Sequence, residues 1–212
     1  MTEMMTQNTF EEHFSRPSSQ RKYYRDIWCL GPNGTGYPGG FPQGLMPLVL
    51  RRWNGTKKLM LFSGSFHERG WETVDIKPET KPSFVMNAEE LPDEWTEKFD
   101  LVFADPPYSE EESLELYNLP YFNIFKLMNE MARVTEPGGH MIFLHRLIPQ
   151  VFPGQNTHFK RMKIVGVIGI FTTSGITNLR ALTVWEKSRQ LEGLRTQGRI
   201  SPSIHQATLL RS

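Results

Sequence analysis

The chain has 212 residues, and 24 lysines and arginines against 23 aspartates and glutamates leave a net charge of +1. That length allows one sizeable domain with its own core, and the even balance excludes a protein held on nucleic acid by bulk charge alone. Cys29 is the only cysteine, which excludes an intramolecular disulfide or a thiolate metal centre and points to a cytoplasmic protein.

In chain order, "MTEMMTQNTFEEHFSRPSSQ" is polar and lacks the apolar centre of a signal peptide. Residues 1–22 are expected to be a flexible segment, 23–188 a single domain and 189–212 a flexible tail. "KKLMLFSG" (57–64) reads as a first strand closed by Ser-Gly, "WETVDI" (71–76) as a second, and "SFVMNAEELP" (83–92) contains a weaker third. "KFDLVFAD" (98–105) is a fourth, stopped by two prolines, which cannot donate to a ladder.

"YFNIFKLMNEMARV" (121–134) carries apolar residues at the i, i+3, i+4, i+7 spacing of an amphipathic helix. "HMIFLHRLI" (140–148) follows as a fifth strand, and "FKRMKIVGVIGIFTT" and "NLRALTVWEK" form a closing antiparallel pair. The run "IVGVIGIF" is too short to cross a bilayer, so no membrane association is expected. The pattern predicts an α/β fold: a mainly parallel, seven-stranded, doubly wound sheet ending in an antiparallel hairpin. The first crossover is short for a βαβ unit, so its helix is expected to be reduced. His140 and His145 flank the fifth strand without a third ligand, and no metal is expected.

The order of these features resembles a Rossmann-like class I S-adenosylmethionine-dependent methyltransferase, of the amino-methyltransferase group acting on exocyclic amines of nucleobases. The resemblance covers roughly residues 34–187. "DPPY" (105–108) is similar to that group's catalytic motif, which assigns Asp105, Pro106, Pro107 and Tyr108 to catalysis. "LFSG" (61–64) stands where the family has its first cofactor loop, "TVDI" (73–76) where it has an acidic residue for the ribose, and "NAEELP" (87–92) where it borders adenine. "GYPGGFPQGLMPLVLRRW" (36–53) resembles a motif leading into a helix before the first strand, with Tyr37 in place of a histidine. The resemblance thus implies S-adenosyl-L-methionine as cofactor, bordered by Tyr37, Phe41, Phe62, Gly64, Asp75, Ile76, Asn87 and Ala88. Two departures stand out: the first loop has a single glycine, Gly64, and the first helix is missing.

An exocyclic amine on a base is a poor nucleophile because its lone pair is delocalised into the ring. Two acceptors on its hydrogens free that pair: the Asp105 carboxylate supplies one and the Pro106 carbonyl the other. Tyr108 offers a flat face to a base flipped from its stack, and the methyl group moves by in-line displacement. Within the family, Asp in the first motif position favours adenine N6, but the motif does not separate DNA from RNA; DNA is the first choice of substrate, and RNA adenine-N6 or guanine-N2 and cytosine-N4 methylation are the alternatives. The chain has no insert of domain size for reading sequence, which implies relaxed recognition, or recognition supplied by a homodimer or a partner subunit. A non-catalytic methyltransferase-like binding subunit is the reading from another class, and a dinucleotide-dependent dehydrogenase is disfavoured because no G-x-G-x-x-G follows the first strand.

Overall fold

The computed structural model describes residues 25–32, 40–149, 159–169 and 179–189. The segments expected to be flexible, 1–22 and all but the first residue of 189–212, lie outside the described residues, as does Tyr37. The elements are β1 (Arg25–Leu30), α1 (Leu45–Arg52), β2 (Lys58–Leu61), β3 (Trp71–Asp75), β4 (Phe84–Val85), β5 (Phe99–Ala104), α2 (Glu110–Tyr117), α3 (Ile124–Val134), β6 (Thr135–His145), β7 (Phe159–Gly169) and β8 (Leu179–Lys187). Short 3-10 turns at Pro78–Thr80 and Asp93–Trp95 lie in the connections.

One sheet runs β1-β7-β8-β6-β5-β2-β3-β4. All neighbours are parallel except β8, which is antiparallel to both β6 and β7. The seven expected strands are present, and the correction is an eighth: β1 pairs in parallel with β7 at the sheet edge. Only nine residues join β2 to β3, too few for a crossover helix. An aromatic plug stands in its place, with Phe66 edge-on to Trp71 at 5.4 Å and to Phe41 at 5.7 Å.

Alternation along the central strands splits the core between two faces. Leu59, Leu61, Val102 and Ala104 pack towards Leu127 and Met131 of α3. Met60, Leu101 and Phe103 pack towards Leu45, Met46 and Val49 of α1. Helix α3 starts at Ile124 rather than 121 because the Asn123 Oδ1 accepts from the Phe125 and Lys126 N–H groups and caps it there. Among the described residues no helix is long and apolar enough to cross a membrane.

Phe103 is fully buried at the sheet centre and supports Phe41 edge-on at 5.5 Å. Phe103→Ala is therefore expected to lower the stability of the chain by about 3–5 kcal/mol through lost burial and a residual cavity. Equilibrium urea unfolding measures this directly.

Candidate active site

Strands β3 and β5 flank β2, so the chain leaves the sheet in opposite directions on its two sides; ligands bind at such a switch point, beyond the C-terminal strand ends. The register aligns the tips there, because Leu61 of β2 faces both Val74 and Ala104. Phe62–Gly64, Asp75 and Asp105 consequently border one crevice of about 530 Å³. The cavity is of small-molecule size.

One side of it is built by backbone contacts converging on Asp75. One carboxylate oxygen accepts the Gly64 N–H at 2.7 Å and the other the Lys77 N–H at 2.9 Å. Each oxygen keeps a lone pair for a further donor. The same loop holds Phe62 at a φ of +56°, a strained value for a bulky residue that costs about 1–3 kcal/mol. The Ser63 N–H to Val74 carbonyl bond, 3.1 Å, and the edge-on Phe62–Phe122 contact, 5.7 Å, hold it there.

Beside Asp75, the Met86 N–H donates to the Asp75 carbonyl, which places Asn87 and the buried Ala88 on the wall. That loop is tied to α3: Asn123 N–H donates to Glu89, Leu91 N–H donates to Glu130, and Arg133 donates to the Leu91 carbonyl. Asn87 Oδ1 already accepts the Glu89 N–H. Ile76 and Phe41 complete the lining, so of the eight expected cofactor residues the crevice gathers every one except Tyr37.

The expected catalytic residues turn away from the tip of β5. Pro106 is buried, and the Pro107 carbonyl lies 3.2 Å from His145 Nε2. Since His145 Nδ1 accepts the Leu147 N–H, Nε2 carries the proton and donates to that carbonyl. Burial, with a smaller contribution from Arg146, holds the His145 pKa below the ordinary range.

Ser109 opens α2 as its N-cap, accepting from the Glu112 N–H, while the Glu112 carboxylate reaches back to the Tyr108 N–H at 3.0 Å. Residues 109–120, to which the sequence alone assigns no element, thus contain a helix that clamps the motif. Tyr108 lines the crevice, with its hydroxyl already engaged. Its hydroxyl donates to Asp105 Oδ1 at 2.7 Å, and the Arg146 guanidinium lies 5.4 Å from its ring centroid.

Burial pushes the Asp105 carboxyl up to about 7, against the opposing pull of Arg180 and of the Tyr108 hydrogen bond. Burial and the adjacent Asp105 charge keep Tyr108 protonated, well above an ordinary phenol. Sequence reasoning assigns no site role to Ser63, Glu112 or Arg180, and weighs His145 only as a metal ligand. Arg180 was visible in principle as a charge in phase with the buried Leu182 and Val184.

The strand order and this crevice together define a doubly wound, Rossmann-like α/β fold with an antiparallel closing strand. No protein-family model matches the chain, and no curated protein is similar to it in sequence. Among solved structures, one from work on the conversion of a disulfide bond into a thioacetal group during echinomycin biosynthesis aligns with a TM-score of 0.50. It is 15% identical over 77% of this chain and 88% of that one. A protein of Pyrococcus horikoshii OT3 aligns at 0.43, with 19% identity over 68% of this chain and 88% of that one. TrmN from Thermus thermophilus aligns at 0.42, with 19% identity over 68% of this chain and 48% of that one.

Because the folded chain binds the Asp105 proton more tightly than the unfolded chain, stability falls as pH rises from about 4 to about 7 and then stays lower. Asp105→Asn is expected to remove this penalty. The variant should match the parent near pH 4 and exceed it at pH 8, read as urea midpoints at both values.

Proposed function

We propose that the chain is an S-adenosylmethionine-dependent methyltransferase acting on an exocyclic amine of a nucleobase, with adenine N6 of DNA as the favoured target. The observation that carries this reading is Asp105, a half-buried carboxylate beside two prolines, lining the same crevice as Asp75 at the sheet's switch point. The residues present suit the cofactor. Asp75 has acceptor capacity for two ribose hydroxyls, Asn87 and Ala88 border a slot for adenine, and Ser63 Oγ on the wall has no partner among the described residues.

When bound, S-adenosylmethionine supplies an electrophilic methyl group. The protein's part is to hold and electronically prepare the amine. Tyr108 occupies Asp105 Oδ1, so Oδ2 accepts one amine hydrogen. The Pro106 carbonyl, its direction set by the two prolines, accepts the other. These contacts draw the nitrogen towards tetrahedral geometry and expose its lone pair, while burial of the site strengthens both bonds. Asp105 works as an acceptor, so its ionised form is the competent one. Asn87, Ala88, Gly64 and Asp75 orient the donor. Tyr37, and recognition supplied by a second copy or a partner subunit, belong to the same reading.

Incubation with methyl-labelled S-adenosylmethionine and separate DNA, RNA and protein pools, followed by nucleoside analysis, tests this. N6-methyladenine in DNA is the expected product; label confined to RNA would move the assignment to an RNA base. Asp105→Ala is expected to cut transfer by about 100-fold or more while leaving cofactor affinity unchanged. Asp75→Ala is expected to weaken cofactor binding by about ten-fold or more, measured by calorimetry. The rate should rise with pH along a limb centred near pH 7, as Asp105 loses its proton.

A further inference from the structure

Arg180 is the oddity of the sheet. It lies on β8 in phase with Leu182 and Val184, and it is only 6% exposed. Burying a guanidinium is unfavourable unless charge and hydrogen bonds compensate. The register explains where it goes. His145 at the end of β6 pairs with Ala181, and β8 runs antiparallel, so the residue before Ala181 emerges at the C-terminal tips of the parallel strands. There Arg180 Nη1 donates to the Tyr108 hydroxyl at 3.0 Å, and that hydroxyl donates to Asp105 Oδ1 at 2.7 Å. The three side chains form a directed chain from cation to carboxylate.

We propose that Arg180 is a positioning residue for the methyl-transfer site: it anchors the Tyr108 hydroxyl on one oxygen of Asp105 and so fixes the carboxylate's rotation, leaving the other oxygen for the substrate amine. This rests on the role given to Asp105 under the proposed function. A tyrosine hydroxyl has one proton and accepts through its lone pairs. With Arg180 donating into it, its own proton is directed to Asp105, and the carboxylate cannot turn without breaking the chain.

The charge acts in the same direction. Around Asp105, α2 contributes Glu112, which disfavours its ionisation; β6 contributes His145 and is followed by Arg146; its own loop contributes Tyr108; β8 contributes Arg180. His145 is held neutral by burial, so Arg180 is the buried cation among these groups. In turn the Tyr108 dipole and the Asp105 carboxylate keep Arg180 charged despite its burial.

The test compares the parent with Arg180→Met, Arg180→Lys and Tyr108→Phe. The Asp105 carboxyl is followed by carbon NMR titration, with its resonance assigned by its loss in Asp105→Asn, and cofactor affinity and transfer rate are measured alongside. Arg180→Met is expected to raise the Asp105 midpoint by about one pH unit or more, lower kcat by about ten-fold or more, and leave cofactor affinity unchanged. Arg180→Lys should return the midpoint towards the parent while recovering only part of kcat, because an ammonium lacks the planar fork. Tyr108→Phe keeps the ring, cuts the chain at its hydroxyl, and should lower kcat by a similar factor. In that background Arg180→Lys should have no further effect on kcat.

A folded Arg180→Met with the parent's midpoint and kcat would overturn the proposal; should that variant not fold, an Arg180→Lys or Tyr108→Phe with parental kcat would do so. The NMR midpoint needs no substrate. If the parent itself transfers no methyl group, the proposed function fails while the titration still decides whether Arg180 controls Asp105.

Discussion

The pairing of β2 with β5 is the constraint on which the rest depends. Both strands are short and both faces of each are buried, so a slip of one residue would turn Leu59, Leu61, Val102 and Ala104 towards the wrong helix. With the register set, Leu61 lies opposite Ala104, and the residues that follow them must leave the sheet side by side. Those residues are the strained Phe62–Gly64 turn and the Asp105–Tyr108 motif. The site is thus a consequence of where two apolar strands end.

What surrounds that junction is a set of ties from polar side chains to backbone. Asp75 joins the turns after β2 and β3, Glu112 clamps Tyr108 to α2, and His145 holds the Pro107 carbonyl. Each tie reaches a loop that lacks a ladder of its own. The loops can therefore be irregular, as reactive geometry requires, without being loose. The burial that pushes Asp105 up also makes its hydrogen bonds strong, and the Tyr108–Arg180 chain offsets part of that burial. Under the proposed function, stability and chemistry pull against each other at this one carboxylate.

Much of this was legible in the residues. Strands β2, β3, β5, β7 and β8 stand out as apolar runs with turn signals, the prolines after Asp105 mark the tip of β5, and the 121–134 periodicity gives α3 to within three residues. The Ser-x-x-Glu capping signature at Ser109 and Glu112 was also present, but the Glu-rich stretch after it has a weak apolar stripe and was assigned no element. Strand β1 escaped because it is an edge strand whose "RDIWCL" mixes charge with apolar residues, and its partner β7 is more than a hundred residues away. Which side chains meet around Asp105 could not be read from local patterns. Arg180 meets Tyr108 only through an antiparallel register, which no local pattern encodes.

The central claim is that the crevice between the β2 and β5 tips holds S-adenosylmethionine, with Asp75 on one side and Asp105 on the other. Photocrosslinking of radiolabelled S-adenosylmethionine followed by peptide mapping tests it most directly. The account predicts label within residues 62–77, 86–89 or 105–122, displaced by excess S-adenosylhomocysteine. Displaceable label found only outside those stretches, or no displaceable label, would contradict it.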